Sequence, residues 1–255
     1  MRPTLHDAGK DLILRAARTQ NGWLPTPVSD AELREIYDMM RLGPTSANTC
    51  PARIVFLRTP EAKARLIPAL SPGNVDKTKA APVTAIIGWD TRFYELLPKL
   101  FPHRPEMKDN FANNPAFAEA TGFRNGTLQG AYFMIAARAC GLDVGGMSGF
   151  DNAKVDAEFF PDGRIKSNFL CNVGHGDPAK VLPSCRASTS TRRAPSCERL
   201  RAEINRHLQA RRTARSSSTG TSSSPSPRRP RTRTGCSRGW SGQSGSRRTG
   251  PSRAA

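Results

Sequence analysis

Gly43-Pro44-Thr45-Ser46-Ala47-Asn48 separates a helix from a strand, and both neighbours can be read from their residues. Upstream, Ser29 and Glu32 form an S-x-x-E capping box, after which Leu33, Ile36, Tyr37 and Met40 recur at helical spacing. Gly43 ends this helix over 30–42. Pro44 forbids its continuation, because proline lacks the N–H and its ring clashes with the preceding turn. Downstream, Arg53-Ile54-Val55-Phe56-Leu57 reads as a strand. Between the two, Thr45, Ser46 and Asn48 put hydroxyl and amide groups on a short segment held at both ends. Such a loop either only connects, since these residue types are common in turns, or offers donors and acceptors to a polar ligand.

Working outward, Asp11 to Arg18 reads as a short helix, followed by the polar turn Thr19-Gln20-Asn21-Gly22. A helix starting near Pro60 carries Ala62, Leu66, Ile67 and Leu70. Pro82 to Trp89 is a near-continuous apolar run of strand length, which predicts a strand buried on both faces. Residues 98–113 are irregular and long enough to cap a site. The longest periodic segment is 116–139, whose glycines and alanines suit close approach of another helix, in one chain or between two. A glycine-rich passage over 142–150, a helix from Asn152 to Phe160 and a strand at 167–173 complete the pattern. The expectation is an α+β fold with a mostly antiparallel sheet of four or five strands packed with helices.

Composition breaks near Pro183. Residues 184–255 hold seventeen Arg, no Lys and two acids, a net charge of +15 out of +18 for the whole chain. Large apolar residues number only four there (Leu200, Ile204, Leu208 and Trp240), too few to offset ordering entropy. We therefore expect one folded domain over 1–183 and a disordered basic tail over 184–255, with at most a transient helix over 198–212. Seventeen Arg would bind polyanions in a salt-dependent way, so a nucleic-acid-binding protein is one alternative. Against it, 1–183 is nearly charge-balanced at +3 and shows no aromatics interleaved with basic residues. The absence of a long apolar run, of C-x-x-C and of histidines at ligand spacing predicts no membrane span, no metal site and free thiols in a reducing cytoplasm.

Two formal motif matches fail on context. Gly174-His175-Gly176-Asp177-Pro178-Ala179 fits G-x-G-x-x-A, but Pro178 and Pro183 bracket the place where the helix should begin. Gly146-Met147-Ser148-Gly149 is one residue short of a nucleophile elbow. Three other features remain. Asn74-Val75-Asp76-Lys77, read as a loop, is either a solvated turn or a ring-edge contact that pairs an amide with a cation. Gly145-Gly146-Met147-Ser148-Gly149 is either a tight turn before a helix capped by Asp151 or a flat wall against a planar ligand. Arg18 closes the first helix, on the surface or on a phosphate. Combined with the 44–48 loop, the second reading of each gives the parts needed to hold a flavin mononucleotide (FMN).

The order of these motifs resembles the FMN-dependent nitroreductase family. More narrowly, Arg18 to Trp23, Gly43 to Asn48, Pro51 to Phe56, Ala81 to Ala85, Phe123-Arg124-Asn125 and Met147 to Asp151 are similar to the malonic semialdehyde reductases of pyrimidine utilisation, the RutE group. The resemblance spans about residues 10–183. It implies a homodimer with FMN at the subunit interface and NADPH or NADH as hydride donor. Positions matching Pro44, Thr45, Ser46 and Asn48 would come from one subunit, and Arg18, Asn74, Lys77, Met147, Ser148 and Gly149 from the other. It further implies that Lys77 and Ser148 act at the reacting edge. The reaction expected is reduction of the small aldehyde 3-oxopropanoate to 3-hydroxypropanoate, with broad nitro- or quinone reduction as the alternative. After Pro183 the chain departs from the family, and its Lys-free, Arg-rich composition fits a GC-rich gene read out of frame.

Overall fold

A computed structural model of the protein describes residues 2–183 and Arg206. The expectations for 184–255 (disorder, the helix over 198–212 and the frameshift) lie outside the described residues, Arg206 apart.

Helix α1 (Asp7–Lys10) starts earlier than the sequence suggested, because His6 Nδ1 accepts the N–H of Gly9 at 3.2 Å. It continues through a wider-wound turn, Asp11–Arg15, closed by Ala16 N–H on Asp11 O at 3.0 Å. Helix α2 (Asp30–Met40) begins at the capping box read from the sequence: Ser29 caps Glu32 N–H, and Glu32 returns a 2.7 Å bond to Ser29 N–H. Next come strand β1 (Ala52–Leu57), helix α3 (Pro60–Leu66), helix α4 (Pro72–Ala80) and strand β2 (Val83–Asp90). The 98–113 segment is less irregular than expected, since it carries the end of α5 (Leu97–Leu100) and all of α6 (Met107–Ala112). Helix α7 (Pro115–Ala139), strand β3 (Asp143–Met147), helix α8 (Asn152–Phe159) and strand β4 (Ile165–Gly174) follow.

The four strands form one antiparallel sheet in the order β1-β2-β4-β3. All eight residues of β2 are buried, as its continuous apolar run required. Successive side chains of a strand point to opposite faces, and β2 divides accordingly. Ala85 and Ile87 join Leu33, Ile36 and Met40 of α2 and Phe133 of α7 on one face. Ile86 joins Leu66, Val155 and Leu170 on the other. Helices thus cover both faces of the sheet.

Two expectations need correction. Within the 142–150 passage, residues 143–147 form an edge strand, because the backbone ladder to β4 holds them even though Gly145 and Gly146 carry no β-forming side chains. The expected close approach of another helix holds for the alanines of α7, since Ala136 and Ala137 pack with Leu33, Ile36 and Met40 of α2, but its glycines meet the sheet instead. A Cβ on Gly122 would sit 2.5 Å from Trp89 Cε3, and one on Gly130 would sit 2.4 Å from Phe169 Cε1. Bulky strand residues fill the space that small helix residues leave.

Candidate functional site

The residues singled out in the sequence fall into two groups in space. The first forms where α4 meets the end of β3. Asn74 and Lys77 lie inside α4 and not in a loop as expected; Pro72 at its first turn gives the fixed φ that starts the helix. Asn74, only 9% exposed, donates Nδ2 to Gly149 O at 2.8 Å, and Ser71 N–H reaches the same oxygen at 3.0 Å. Asn172 of β4 donates Nδ2 to Lys77 O at 3.2 Å and to Met147 Sδ at 3.8 Å. Thr78 Oγ1 also reaches that sulfur, at 3.8 Å. Met147 is buried, Ser148 exposed and Gly149 intermediate. Two Asn side chains thus fix the helix carrying Lys77 against β4 and against the turn after β3 that holds Ser148.

This corner tolerates no added bulk. A Cβ on Gly149 would lie 2.8 Å from Asn74 Nδ2, and one on Gly145 would lie 2.5 Å from Gln20 O. Real Cβ contacts do not come so close, so the glycines are needed where main chain passes main chain or amide. Beneath this wall Cys171, opposite Gly146 in the register, is fully enclosed, and burial pushes its thiol up to about 12. Among the described residues Cys50, Cys140 and Cys171 are free thiols, and no group of His, Cys, Asp and Glu could hold a metal ion.

Arg18 joins this group through the backbone. Thr19 bridges to Val144 in β3, and Gln20 N–H donates to Val144 O at 3.0 Å. The Arg18 Nη1 reaches the carbonyls of Arg15, Ala16 and Ala17, where the first helix ends, at 3.0–3.3 Å. Among the described residues neither Arg18 nor Lys77 forms an ion pair with a carboxylate.

The second group is the 44–50 loop. Tyr132 donates its hydroxyl to Pro44 O at 3.0 Å, and Ser46 N–H donates to Asn125 Oδ1 at 2.8 Å. Asn48 Nδ2 donates to Leu100 O at 2.9 Å, and Thr45 Oγ1 accepts Cys50 N–H at 3.2 Å. Ala47, Asn48 and Cys50 have positive φ (49°, 49° and 38°), a backbone that non-glycine residues adopt only when held. The loop runs into Ala52 of β1, at one edge of the sheet, whereas Met147 ends β3 at the other edge, so the single chain leaves the two groups apart.

The sequence reading missed Asn172 and Ser71, which shape the corner without facing a ligand by motif. Asn172 carried the one available signal: a polar amide inside an otherwise apolar strand, which requires a buried partner. Among the described residues no helix is long and apolar enough to cross a membrane.

The Nitroreductase family model matches residues 14–175. A relative from Cupriavidus pinatubonensis, provisionally named an NADH dehydrogenase/NAD(P)H nitroreductase, is 61% identical over 174 residues, covering 68% of this chain and 89% of its own. Another from Ralstonia pickettii, HadB, carries the same provisional name and is 62% identical over 169 residues, 66% of this chain and 86% of its own. Among solved structures, a protein from Exiguobacterium sibiricum described as a nitroreductase in complex with FMN superposes with a TM-score of 0.62. At 19% identity over 74% of this chain and 96% of that one, the likeness speaks to fold. Fold, motif order and close relatives agree, and the chain belongs to the nitroreductase family.

Proposed function

We propose that this chain is an FMN-dependent NAD(P)H oxidoreductase, working as a homodimer, whose substrate is the small aldehyde 3-oxopropanoate. The overall conversion takes aldehyde, NAD(P)H and one proton to 3-hydroxypropanoate and NAD(P)+. The observation that carries the reading is the α4–β3 corner. There a buried amide, an exposed hydroxyl and a lysine with no acid partner among the described residues are carried by neighbouring elements.

These residues fit a flavin. The donor set is the one a phosphate and a polar ring edge call for: two cations with no carboxylate partner among the described residues, and a buried amide. Bound there, FMN would supply hydride transfer between nicotinamide and aldehyde. Arg18 would hold the phosphate and Asn74 the polar ring edge. Lys77 would stabilise negative charge there, since a fixed cation acts most strongly where charge develops. The exposed Ser148 hydroxyl and the Gly149 backbone would border the reacting edge.

The dimer reading rests on the separation of the two groups and on α7. Phe117, Leu128 and Ile135 are exposed and lie on one side of that helix. Phe123, also exposed, lines an open cleft of about 710 Å³ with Trp89, Tyr94 and Lys166. A second copy covering this side would bring its own Pro44, Thr45, Ser46 and Asn48 to the corner of the first.

A broad nitro- or quinone reductase on the same scaffold is the second reading, favoured by the nitroreductase names of the two relatives. One set of assays separates them. A yellow dimer that oxidises NADPH or NADH faster with 3-oxopropanoate than with a nitroaromatic or a quinone supports the first, and the reverse order supports the second. A colourless protein that takes up no added FMN would refute both. The strongly basic tail is, in this reading, a frameshift product without a role. Truncation after Pro183 should abolish heparin binding, and reading the gene in all three frames should show a family-type ending nearby.

A further inference from the structure

The strained 44–50 loop continues into β1 through an ion cluster that the proposed reaction does not use. Asp90, at the end of β2, has a side chain only 2% exposed. It accepts Arg53 Nη2 at 2.8 Å and both Nε and Nη2 of Arg164 at 3.1 Å. Asp90 N–H donates to Pro51 O at 2.9 Å. The other end of the Arg53 fork, Nη1, reaches three successive carbonyls: Cys50 at 3.2 Å, Pro51 at 3.3 Å and Ala52 at 2.9 Å. A planar guanidinium can span a carboxylate and a row of carbonyls at once, which the point-like ammonium of lysine cannot do.

We propose that Arg53, locked by Asp90, is the positioning residue that keeps the 44–50 loop in its ligand-bearing conformation. The carbonyl of Cys50 belongs to the last of the three left-handed residues. Left-handed backbone at Ala47, Asn48 and Cys50 persists only where the surroundings over-determine it. α7 holds the start of the loop through Asn125 and Tyr132. Arg53 holds its end, and the ion pair with buried Asp90 fixes Arg53 to the sheet. Release of that end lets the loop relax, so only a fraction of molecules present Thr45, Ser46 and Asn48 correctly. Apparent ligand affinity then falls by that fraction. Arg53 acts through the loop and touches no ligand. This inference rests on the FMN reading for what the loop binds, while the clamp itself is independent of it.

Arg53→Met and the milder Arg53→Lys, each in the full chain, test the proposal by two measurements. Amide hydrogen exchange at Asn48, Thr49 and Cys50 in flavin-free protein reads the loop. FMN titration reads its consequence. In Arg53→Met, exchange at these amides should rise by about tenfold while that of Ile86 in β2 stays unchanged, and the FMN dissociation constant should rise by about tenfold. Arg53→Lys should fall between, and should carry the test if Arg53→Met fails to fold. Ala47→Gly added to Arg53→Met should recover part of the affinity, because glycine adopts φ near 49° without steric cost. Unchanged exchange would overturn the clamp. Raised exchange with unchanged FMN affinity would overturn its role in positioning. Wild-type protein that binds no FMN would overturn the proposed function instead, and the exchange result would still decide the clamp.

Discussion

The Nδ2 of Asn74 lies 2.8 Å from the carbonyl oxygen of Gly149, 75 positions away in the chain, and this bond joins α4 to the end of β3. The hydrogen position of Gly149 that would become a Cβ points at the same nitrogen, 2.8 Å away, and at Ser71 Oγ, 3.2 Å away. Gly149→Ala must therefore displace Asn74 or shift the strand end. One hydrogen bond to a buried amide contributes about 1 kcal/mol. We expect FMN affinity to fall by about fivefold to tenfold and the thermal midpoint by about 2–4 °C, as read by fluorescence titration and calorimetry. Unaltered affinity would remove this corner from the flavin site.

Lys77→Ala should behave differently. α4 is held by Asn74 and by Asn172 on the Lys77 carbonyl, neither of which needs the ammonium. The helix should stay in place while NAD(P)H-driven turnover drops by about a hundredfold, in the range found for removing a fixed group beside developing charge. FMN affinity should change by less than about threefold. Stopped-flow reduction beside a flavin titration separates the two effects, and an unchanged rate would refute the assignment.

Gly130→Ala tests the fold on which the site stands. In an exposed helix this change would stabilise by about 1 kcal/mol. Here the new methyl would lie 2.4 Å from Phe169 Cε1 and 3.2 Å from Ile87 Cγ2. Overpacking of a filled core costs about 1–3 kcal/mol, so the steric effect wins and the midpoint should drop by several degrees. A neutral or raised midpoint in thermal denaturation would show that α7 can move away from the sheet freely.

Cys171 gives a pH signature. Burial first of all raises its folded value to about 12 from an ordinary value of 9.0. The folded protein therefore keeps the thiol proton where the unfolded chain loses it, and stability must fall as pH rises from about 9 towards 12. The slope attributable to this one group is about 1.4 kcal/mol per pH unit within that window and zero below it. Urea melts of wild type and Cys171→Ala at pH 8 and pH 10 should diverge by that slope. Parallel pH dependence would mean that the thiol ionises within the fold.

Much of this architecture could be read from the residues. Ser29 and Glu32 announced α2, and the unbroken apolar run of β2 announced a strand covered on both faces. The failures share a cause. Gly145 and Gly146 carry no side chain to reveal a strand, so β3 exists by virtue of its partner β4 and was read as a passage between helices. Asn74 and Lys77 sit on a helix with little apolar patterning, and the Ser71-Pro72 start was the only sign of it. The candidate residues themselves came from motif order, but their grouping did not. That Asn74 meets Gly149, or that Ser46 is held by Asn125, depends on tertiary placement that no local pattern encodes.

Helix α7 carries two adjacent stripes with opposite tasks. Gly122, Gly126 and Gly130 let it lie flush on Trp89 and Phe169, while Asn125, Gln129 and Tyr132 hold Ser46, Ala52 and Pro44. The helix therefore works as a ruler laid on a bench: its zero mark is the sheet, and the loop is read off its other side. Any residue that lifts the ruler by an ångström moves the loop by about as much, without touching it. Substitutions beneath α7 would thus shift the 44–50 loop as a whole while leaving every one of its own side chains as it stands.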